Sequence, residues 1–241
     1  MAEAAEQQQI ERAMAALAHD IRTPLTGILA LSELLAASDL TDRQRGWANA
    51  IQSAAEHLAQ STLLILDAVK ADAATLVLRK DRFSPRKLAQ DLGASLTARA
   101  AAAGLTANVT IHDDVPAEAI GDTVRLRAAL ENLIDNAVKF TMRGSVGFDV
   151  TAKPATRGRV LLVFAISDSG IGMSPAEIKA LFRPFAQASE AVSRRFGGTG
   201  LGLVLVKRLA KAMDGDLTVA STPDRGSTFT LTMHAGRVPE A

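Results

Sequence analysis

The chain has 241 residues, 48% hydrophobic and 22% charged, which is typical of a folded globular protein and excludes a disordered chain. The formal net charge is +1 and no run of five or six basic residues occurs, so we expect neither nucleic acid nor an anionic membrane as a main partner. There is no cysteine, which excludes disulfides and thiolate chemistry, and no apolar stretch reaches the roughly 18 to 20 residues of a membrane span.

The first part of the chain predicts two long helices joined by a turn. A helical pattern runs from about residue 3 to 37, a break follows at residues 36–42, and a second helix extends to about residue 71. Thr41 or Asp42 can cap the second helix, since their side chains accept hydrogen bonds from free amides at a helix start. The polar, helix-favouring N-terminus is not a signal peptide, and we expect it to continue a helix from an upstream segment.

Both helices carry a stripe of apolar or small residues at three-four spacing. In the second helix the stripe includes Trp47, Ile51, Ala54, Leu58, Ile65 and Val69. Two helices alone cannot enclose such stripes on all sides. We therefore expect two copies of the chain to form a homodimer that closes into a four-helix bundle.

His19 lies on the first helix, away from its apolar stripe. It is two residues from both Leu17 and Ile21, which places the imidazole on the solvent side. Asp20 can accept a hydrogen bond from one ring nitrogen and so raise the nucleophilicity of the other, and Thr23 follows one turn later on the same face. This segment alone is compatible with an exposed nucleophile or with a solvated surface histidine beside an ordinary acid.

After residue 70 the pattern changes to short strands alternating with helices, as in an α+β domain. Strands are predicted at 75–78, 105–111, 145–152, 160–166, 216–220 and 226–233, and helices at 85–103, 122–141, 174–181 and 201–213. Residues 183–200 lack a period and are predicted to form a loop. The expected domains are therefore a helical hairpin at 1–71 and an α+β domain at 75–236.

The helix predicted at 122–141 carries Asn132, Asn136 and Lys139, spaced four and three apart on one face. Carboxamide oxygens are hard ligands that suit Mg²⁺, and a neighbouring ammonium can pair with phosphate oxygens. A merely solvated polar face is the alternative for this helix taken by itself.

Two glycine-containing segments follow. Asp168 ends a predicted strand and precedes Gly170 and Gly172, so a carboxylate lies beside a tight turn and can accept the amino group of adenine. Gly198, Gly200 and Gly202 open the helix predicted at 201–213, where free amides can face an anion. Taken singly, the first segment is also compatible with a simple turn and the loop between them with an ordinary surface loop.

Taken in their order along the chain, these segments resemble the transmitter core of two-component sensor histidine kinases, and the resemblance covers residues 8–233. The run His-Asp-Ile-Arg-Thr-Pro-Leu at His19 is similar to the family's H box. Residues 132–141, 168–172, 181–185 and 198–203 are similar to its N, G1, F and G2 boxes. The resemblance implies a dimeric all-α hairpin followed by an α/β sandwich of the gyrase, Hsp90, histidine kinase and MutL superfamily.

The resemblance also implies an activity. ATP and Mg²⁺ would bind the second domain, the γ-phosphoryl group would pass to His19, and from there to an aspartate of a response regulator receiver domain. Asp20 matches a general base, and Thr23 matches a residue that positions water when the kinase acts as a phosphatase on its regulator.

For the nucleotide, the resemblance implies that Asn136 binds Mg²⁺ with support from Asn132, that Lys139 contacts phosphates and that Asp168 recognises adenine. The full set of implied nucleotide-binding residues is Asn132, Asn136, Lys139, Phe140, Asp168, Gly170, Gly172, Arg195, Gly198, Thr199, Gly200, Leu201 and Gly202.

Two alternatives remain from the sequence. One is a pseudokinase that binds nucleotide and serves as a scaffold for regulators without transferring phosphate. The other is an ATPase or serine kinase of the same superfamily, which leaves the His19 hairpin without a role. We expect a bacterial, cytoplasmic chain without membrane contact of its own, whose sensor domain lies upstream and whose full-length protein is compatible with a membrane tether.

Overall fold

The computed structural model describes three stretches of the chain. They are residues 21–55 (without 22–23, 25, 29, 33, 37, 42, 49 and 53–54), 78–182 (without 157) and 202–238. The chain divides into two compact units, residues 1–72 and 73–241.

In the first unit, the described residues between 21 and 36 and between 43 and 55 are helical. The Ser38 amide and hydroxyl both donate to the Leu35 carbonyl as the first helix ends. The second helix starts with a reciprocal cap, in which the Gln44 amide donates to Thr41 Oγ1 and the Thr41 amide donates to Gln44 Oε1. The predicted break and the Thr41 cap are confirmed.

Large apolar side chains of the first unit are exposed in the single chain. Leu31 and Leu34 are about two-thirds exposed, at 68% and 70%, and the others are Ile28, Leu35, Trp47 and Ile51. Exposed apolar surface of this kind is typical of a face that associates with another surface.

The second unit is built on a seven-stranded mixed sheet. The strands are β1 (Asp81–Phe83), β2 (Thr106–Ile111), β3 (Ala119–Gly121), β4 (Ser145–Ala155), β5 (Arg159–Asp168), β6 (Asp216–Thr222) and β7 (Gly226–Arg237). Their order is β1-β3-β7-β5-β4-β2, with β6 also paired to β7. β2 and β4 are parallel, and the other pairs are antiparallel.

The described residues of this unit include four helices: α1 (Pro85–Ala102), α2 (Thr123–Phe140), α3 (Pro175–Ala180) and α4 (Gly202–Ala212). α1 contacts β2 and β4, α2 contacts β5, and α4 contacts β6 and β7. Because α2 also packs against both α1 and α4, these helices form one layer on the sheet. The predicted α+β class with its helical layer is confirmed.

Helix starts in the second unit follow local capping chemistry. Ser84 accepts from the Lys87 amide ahead of Pro85, Asp122 caps α2 through the Arg125 amide, and Ser174 with Glu177 forms a capping box before α3. The Arg125 guanidinium also pairs with the buried Asp122. Hydrogen bonds from the Arg125 and Arg79 amides lower the pKa of Asp122, although burial opposes them.

Most predicted elements match those of the structure to within a few residues. Two three-residue strands, β1 and β3, were not predicted. Of the strand predicted at 75–78, residues 75–77 lie outside the described residues and Leu78 is irregular, so that prediction is wrong at its last position. The loop predicted at 183–200 also lies outside the described residues. No described helix is both long and apolar enough to cross a membrane.

Candidate functional site

Helix α2 presents its polar residues opposite a fully packed face. The buried side chains include Leu126, Leu130, Leu133 and Ile134 at helical spacing. On the other side, Asn136 Nδ2 donates to Asn132 Oδ1 over 3.3 Å, so the two carboxamides lie side by side. This bond uses the nitrogen of Asn136 and leaves its Oδ1 as the candidate hard ligand.

The rotation of α2 is fixed by an arginine of the neighbouring helix. Arg99 in α1 forms ion pairs with Glu131 over 2.7 Å and with Asp135. Glu131 is 13% exposed, so its pair is partly shielded from solvent. Because Glu131 immediately precedes Asn132 and Asp135 immediately precedes Asn136, this pairing helps to hold the amide-bearing face of α2 in place.

The C-terminal end of α2 contacts the turn that follows β5. Lys139 Nζ lies 5.4 Å from the centroid of the Phe140 ring. The Phe140 carbonyl faces this turn and accepts from the Ile171 amide over 3.4 Å. Lys139 and Phe140 thus lie next to the segment that starts at Asp168.

Asp168 is the last residue of β5, and its carboxylate is held by several donors. The Gly170 amide donates to its Oδ1 over 2.8 Å. Ser227 on β7 is its register partner, and hydrogen bonding from the Ser227 amide and hydroxyl favours the ionised carboxylate. Burial raises the pKa of Asp168, while these donors partly oppose the rise. The carboxylate is therefore fixed in orientation and partly shielded from water, which suits a hydrogen-bond acceptor for a ligand.

Glycine is required twice in the turn after Asp168. A Cβ at Gly170 would lie 2.2 Å from the Phe140 carbonyl oxygen, and one at Gly172 would lie 1.9 Å from the Thr222 carbonyl oxygen. Gly172 also has φ of +60°, a conformation that disfavours side chains. The turn thus packs directly against the end of α2 and the end of β6.

The start of α4 lies against the Asn132 carboxamide of α2. A Cβ at Gly202 would lie 2.7 Å from Asn132 Nδ2 and 3.0 Å from its Oδ1. Helix α2 therefore links three segments that are far apart in sequence: its Asn132 carboxamide lies against the first residue of α4, and its last carbonyl, that of Phe140, contacts the turn at 168–172.

The remaining predicted site residues lie outside the described residues. These are His19, Asp20, Thr23, Arg195, Gly198, Thr199, Gly200 and Leu201.

The sequence reasoning missed Ser227. It lay in a predicted strand to which no chemistry was assigned, and it is 7% exposed. It meets Asp168 because β5 and β7 are antiparallel with these two residues in register. The available signal was a hydroxyl residue at the start of a strand after a glycine turn, which by itself does not indicate a partner.

Two family models match the chain. Residues 9–74 match the His Kinase A (phospho-acceptor) domain, and residues 121–237 match the histidine kinase-, DNA gyrase B-, and HSP90-like ATPase. The chain is a sensor histidine kinase transmitter core. The resemblance drawn from the five sequence boxes is thereby confirmed.

Relatives of this transmitter core are named as a sensor protein and as a histidine-protein kinase. The sensor protein GacS of Pseudomonas syringae pv. syringae is 40% identical over 228 residues, which is 95% of this chain and 25% of GacS. The signal transduction histidine-protein kinase BarA of Escherichia coli K12 is 36% identical over 216 residues, 90% of this chain and 24% of BarA. The transmitter core thus spans about a quarter of the length of these curated relatives.

A solved structure has the same architecture. The crystal structure of full-length ShkA in complex with AMPPNP matches 95% of the transmitter core and 47% of its own chain, with a TM-score of 0.60 and 30% sequence identity. The fold of the transmitter core is therefore that of a known nucleotide-complexed protein.

Proposed function

We propose that the transmitter core is an ATP-dependent protein-histidine kinase of a two-component signalling system. The second unit would bind ATP with Mg²⁺, phosphorylate His19, and supply the phosphoryl group to an aspartate of a response regulator. The observation that carries the proposal is that one helix, α2, contacts both Gly202, through Asn132, and the turn at 168–172, through Phe140, within the unit that matches the ATPase family model. The AMPPNP complex of ShkA supports the choice of an adenine nucleotide.

The donor set at α2 suits magnesium. Mg²⁺ prefers oxygen ligands and commonly takes one or two from the protein and the rest from phosphates and water. Asn136 Oδ1 is the proposed ligand, with Asn132 in support through the 3.3 Å bond between the two side chains. When bound, the ion would neutralise charge on the phosphate oxygens.

We propose that further residues of the second unit bind the nucleotide. Lys139 would pair with phosphate oxygens, and Asp168 would accept the amino group of adenine. The free amides at the start of α4 would face phosphate. The remaining residues that we propose to contact the nucleotide are Phe140, Gly170, Gly172, Arg195, Gly198, Thr199, Gly200, Leu201 and Gly202.

The transfer step needs a nucleophile and a proton acceptor. A ring nitrogen of His19 would attack the γ-phosphorus, the bond from that phosphorus to the β,γ-bridging oxygen would break, and ADP would leave. Asp20 would accept the proton that the imidazole loses. Catalysis of this kind depends chiefly on positioning and charge neutralisation.

Assembly and location follow from the same proposal. The exposed leucines of the first unit would be covered by a second copy in a four-helix bundle. We place the phosphotransfer in the cytoplasm, where ATP is available. Relatives named as sensors extend well beyond the matched quarter, which supports a sensor region outside this chain.

The raised pKa of Asp168 predicts a pH dependence. Only the ionised carboxylate accepts the adenine amino group at both oxygens, and burial raises the pKa of this group. ATP affinity should therefore fall on acidification at a higher pH than an ordinary aspartate would give. Titration calorimetry across pH 4 to 8 measures this, and Asp168→Asn should bind weakly with a flattened profile. An unchanged profile in Asp168→Asn would contradict the role.

A second prediction concerns Thr23. Thr23→Ala should retain autophosphorylation but lower dephosphorylation of a phosphorylated receiver domain about tenfold or more, because it would lose the hydroxyl that orients water. Both rates are measured on the same preparation, with Thr26→Ala, three residues further along the chain, as the control. Equal loss of both rates at Thr23 would mean that it is only structural.

A further inference from the structure

Two serine hydroxyls, those of Ser227 and Ser221, connect the Asp168 carboxylate with the Met173 amide. Ser227 on β7 is paired with Asp168 in the strand register, and hydrogen bonding from its amide and hydroxyl opposes the rise that burial causes in the pKa of Asp168. Ser227 Oγ lies 2.9 Å from Ser221 Oγ on the neighbouring strand β6. Ser221 Oγ in turn accepts from the Met173 amide over 2.8 Å. These contacts therefore run from Met173, which follows the turn at 168–172, to Asp168, which is the first residue of that turn.

Proton counting allows two arrangements of these bonds. Each serine hydroxyl has a single proton. When Ser227 donates its proton to Asp168, its oxygen can only accept from Ser221. In the other arrangement, the Ser221 proton goes to the Gly226 carbonyl oxygen at 3.0 Å and the Ser227 proton goes to Ser221 Oγ. An ionised carboxylate is a stronger acceptor than a hydroxyl, so it favours the first arrangement, which runs from the Met173 amide through Ser221 and Ser227 to Asp168.

We propose that Ser221 is a positioning residue for adenine: acting through Ser227, it holds the Asp168 carboxylate as an acceptor and so favours adenine over a base with a carbonyl at the same position. This inference rests on the proposed function, because it assumes that Asp168 recognises the base. Ser221 does not touch the nucleotide in this proposal. Its effect passes through hydrogen bonds that polarise one another in a partly buried place.

Removing the Ser221 hydroxyl should have two linked effects. The Ser227 hydroxyl loses its donor and is freer to rotate away from Asp168, and the Met173 amide loses its acceptor at the end of the turn. A less well solvated carboxylate is harder to ionise, so the pKa of Asp168 should rise further. A residue that only supported the fold would not change base preference or this pKa.

The test compares ADP with IDP, which carries a carbonyl oxygen where ADP has the amino group. Both are titrated with Mg²⁺ into the whole chain by calorimetry at several pH values. The variants are Ser221→Ala, Ser221→Thr, Ser227→Ala and the double variant, with Thr218→Ala on an exposed position of β6 as the matched control. The ratio of two affinities on one preparation cancels any loss of folded protein.

The proposal expects Ser221→Ala to lower ADP affinity about fivefold to tenfold with little change for IDP, in keeping with the loss of one hydrogen bond. The pH at which ADP binding falls should also move upward. Ser221→Thr keeps a hydroxyl, so its ADP affinity and its pH dependence should be those of the wild type. In the Ser227→Ala background, Ser221→Ala should add nothing, as expected of residues that act in series.

Three results would overturn the proposal. If Ser221→Ala weakened the binding of ADP and IDP equally, Ser221 would have only a structural role. If Ser221→Ala kept full affinity and an unchanged ratio of ADP to IDP affinity, the two serines would have no effect on base recognition. Additive losses in the double variant would show that Ser221 does not act through Ser227. If the wild type binds both nucleotides equally, the role of Asp168 in the proposed function fails too, which separates that failure from a failure at Ser221 alone.

Discussion

Asn136→Ala should abolish ATP-dependent phosphorylation of the chain while leaving its oligomeric state intact. The side chain provides the proposed magnesium ligand, and its truncation also removes the 3.3 Å bond to Asn132. Loss of one preorganised group that stabilises transition-state charge costs about 10²–10³-fold in rate, and we expect at least that. Incorporation of label from γ-labelled ATP measures the effect.

Two comparisons make the Asn136 result specific. Asn136→Asp keeps an oxygen ligand and should retain part of the Mg²⁺-dependent nucleotide binding. Asn108→Ala removes the same side chain from an exposed position on the edge strand β2 and should be fully active. Full activity of Asn136→Ala would refute the assignment of this residue as a metal ligand.

Gly172→Ala should disable nucleotide binding and destabilise the second unit. Its φ of +60° is unfavourable for alanine, and the new Cβ would lie 1.9 Å from the Thr222 carbonyl oxygen and 2.7 Å from the carbonyl carbon. Backbone has to move, because neither atom belongs to a flexible side chain. The left-handed conformation and the overpacking together cost about 2–5 kcal/mol. Calorimetric ATP binding and thermal unfolding measure the two effects.

Gly104→Ala is the matched control for Gly172. Gly104 has φ of +71°, but a Cβ there would meet nothing within 4 Å. It should cost only the conformational part, about 1–2 kcal/mol, with nucleotide affinity unchanged. If the two variants unfold at the same temperature and Gly172→Ala binds ATP normally, the close approach to Thr222 does not shape the site.

The parts of the fold that depend on local signals were predictable. Helix α2 was predicted at 122–141 and is found at Thr123–Phe140, because both its cap at Asp122 and its apolar stripe are encoded within the helix. The three-residue strands β1 and β3 are too short for an alternating pattern. They form through pairing between Asp81 and Gly121 and their neighbours, about forty positions apart.

The same division applies to the site. Asn132 and Asn136 share a helix face at four-residue spacing, so their contact could be expected from the sequence. The contacts of Asp168 with Ser227, and of Gly202 with Asn132, depend on strand register and helix packing. No local pattern encodes these distances, and Ser227 was missed for that reason.

Phosphorylation of His19 tests the central claim most directly. The chain is incubated with Mg²⁺ and γ-labelled ATP beside His19→Ala, and the label is tested for stability in acid and alkali. We expect label on the wild type that is lost in acid and retained in alkali, and none on His19→Ala. Label that survives acid, or equal labelling of His19→Ala, would contradict a phosphohistidine kinase acting at this residue. Intact nucleotide binding without any label would favour the pseudokinase scaffold.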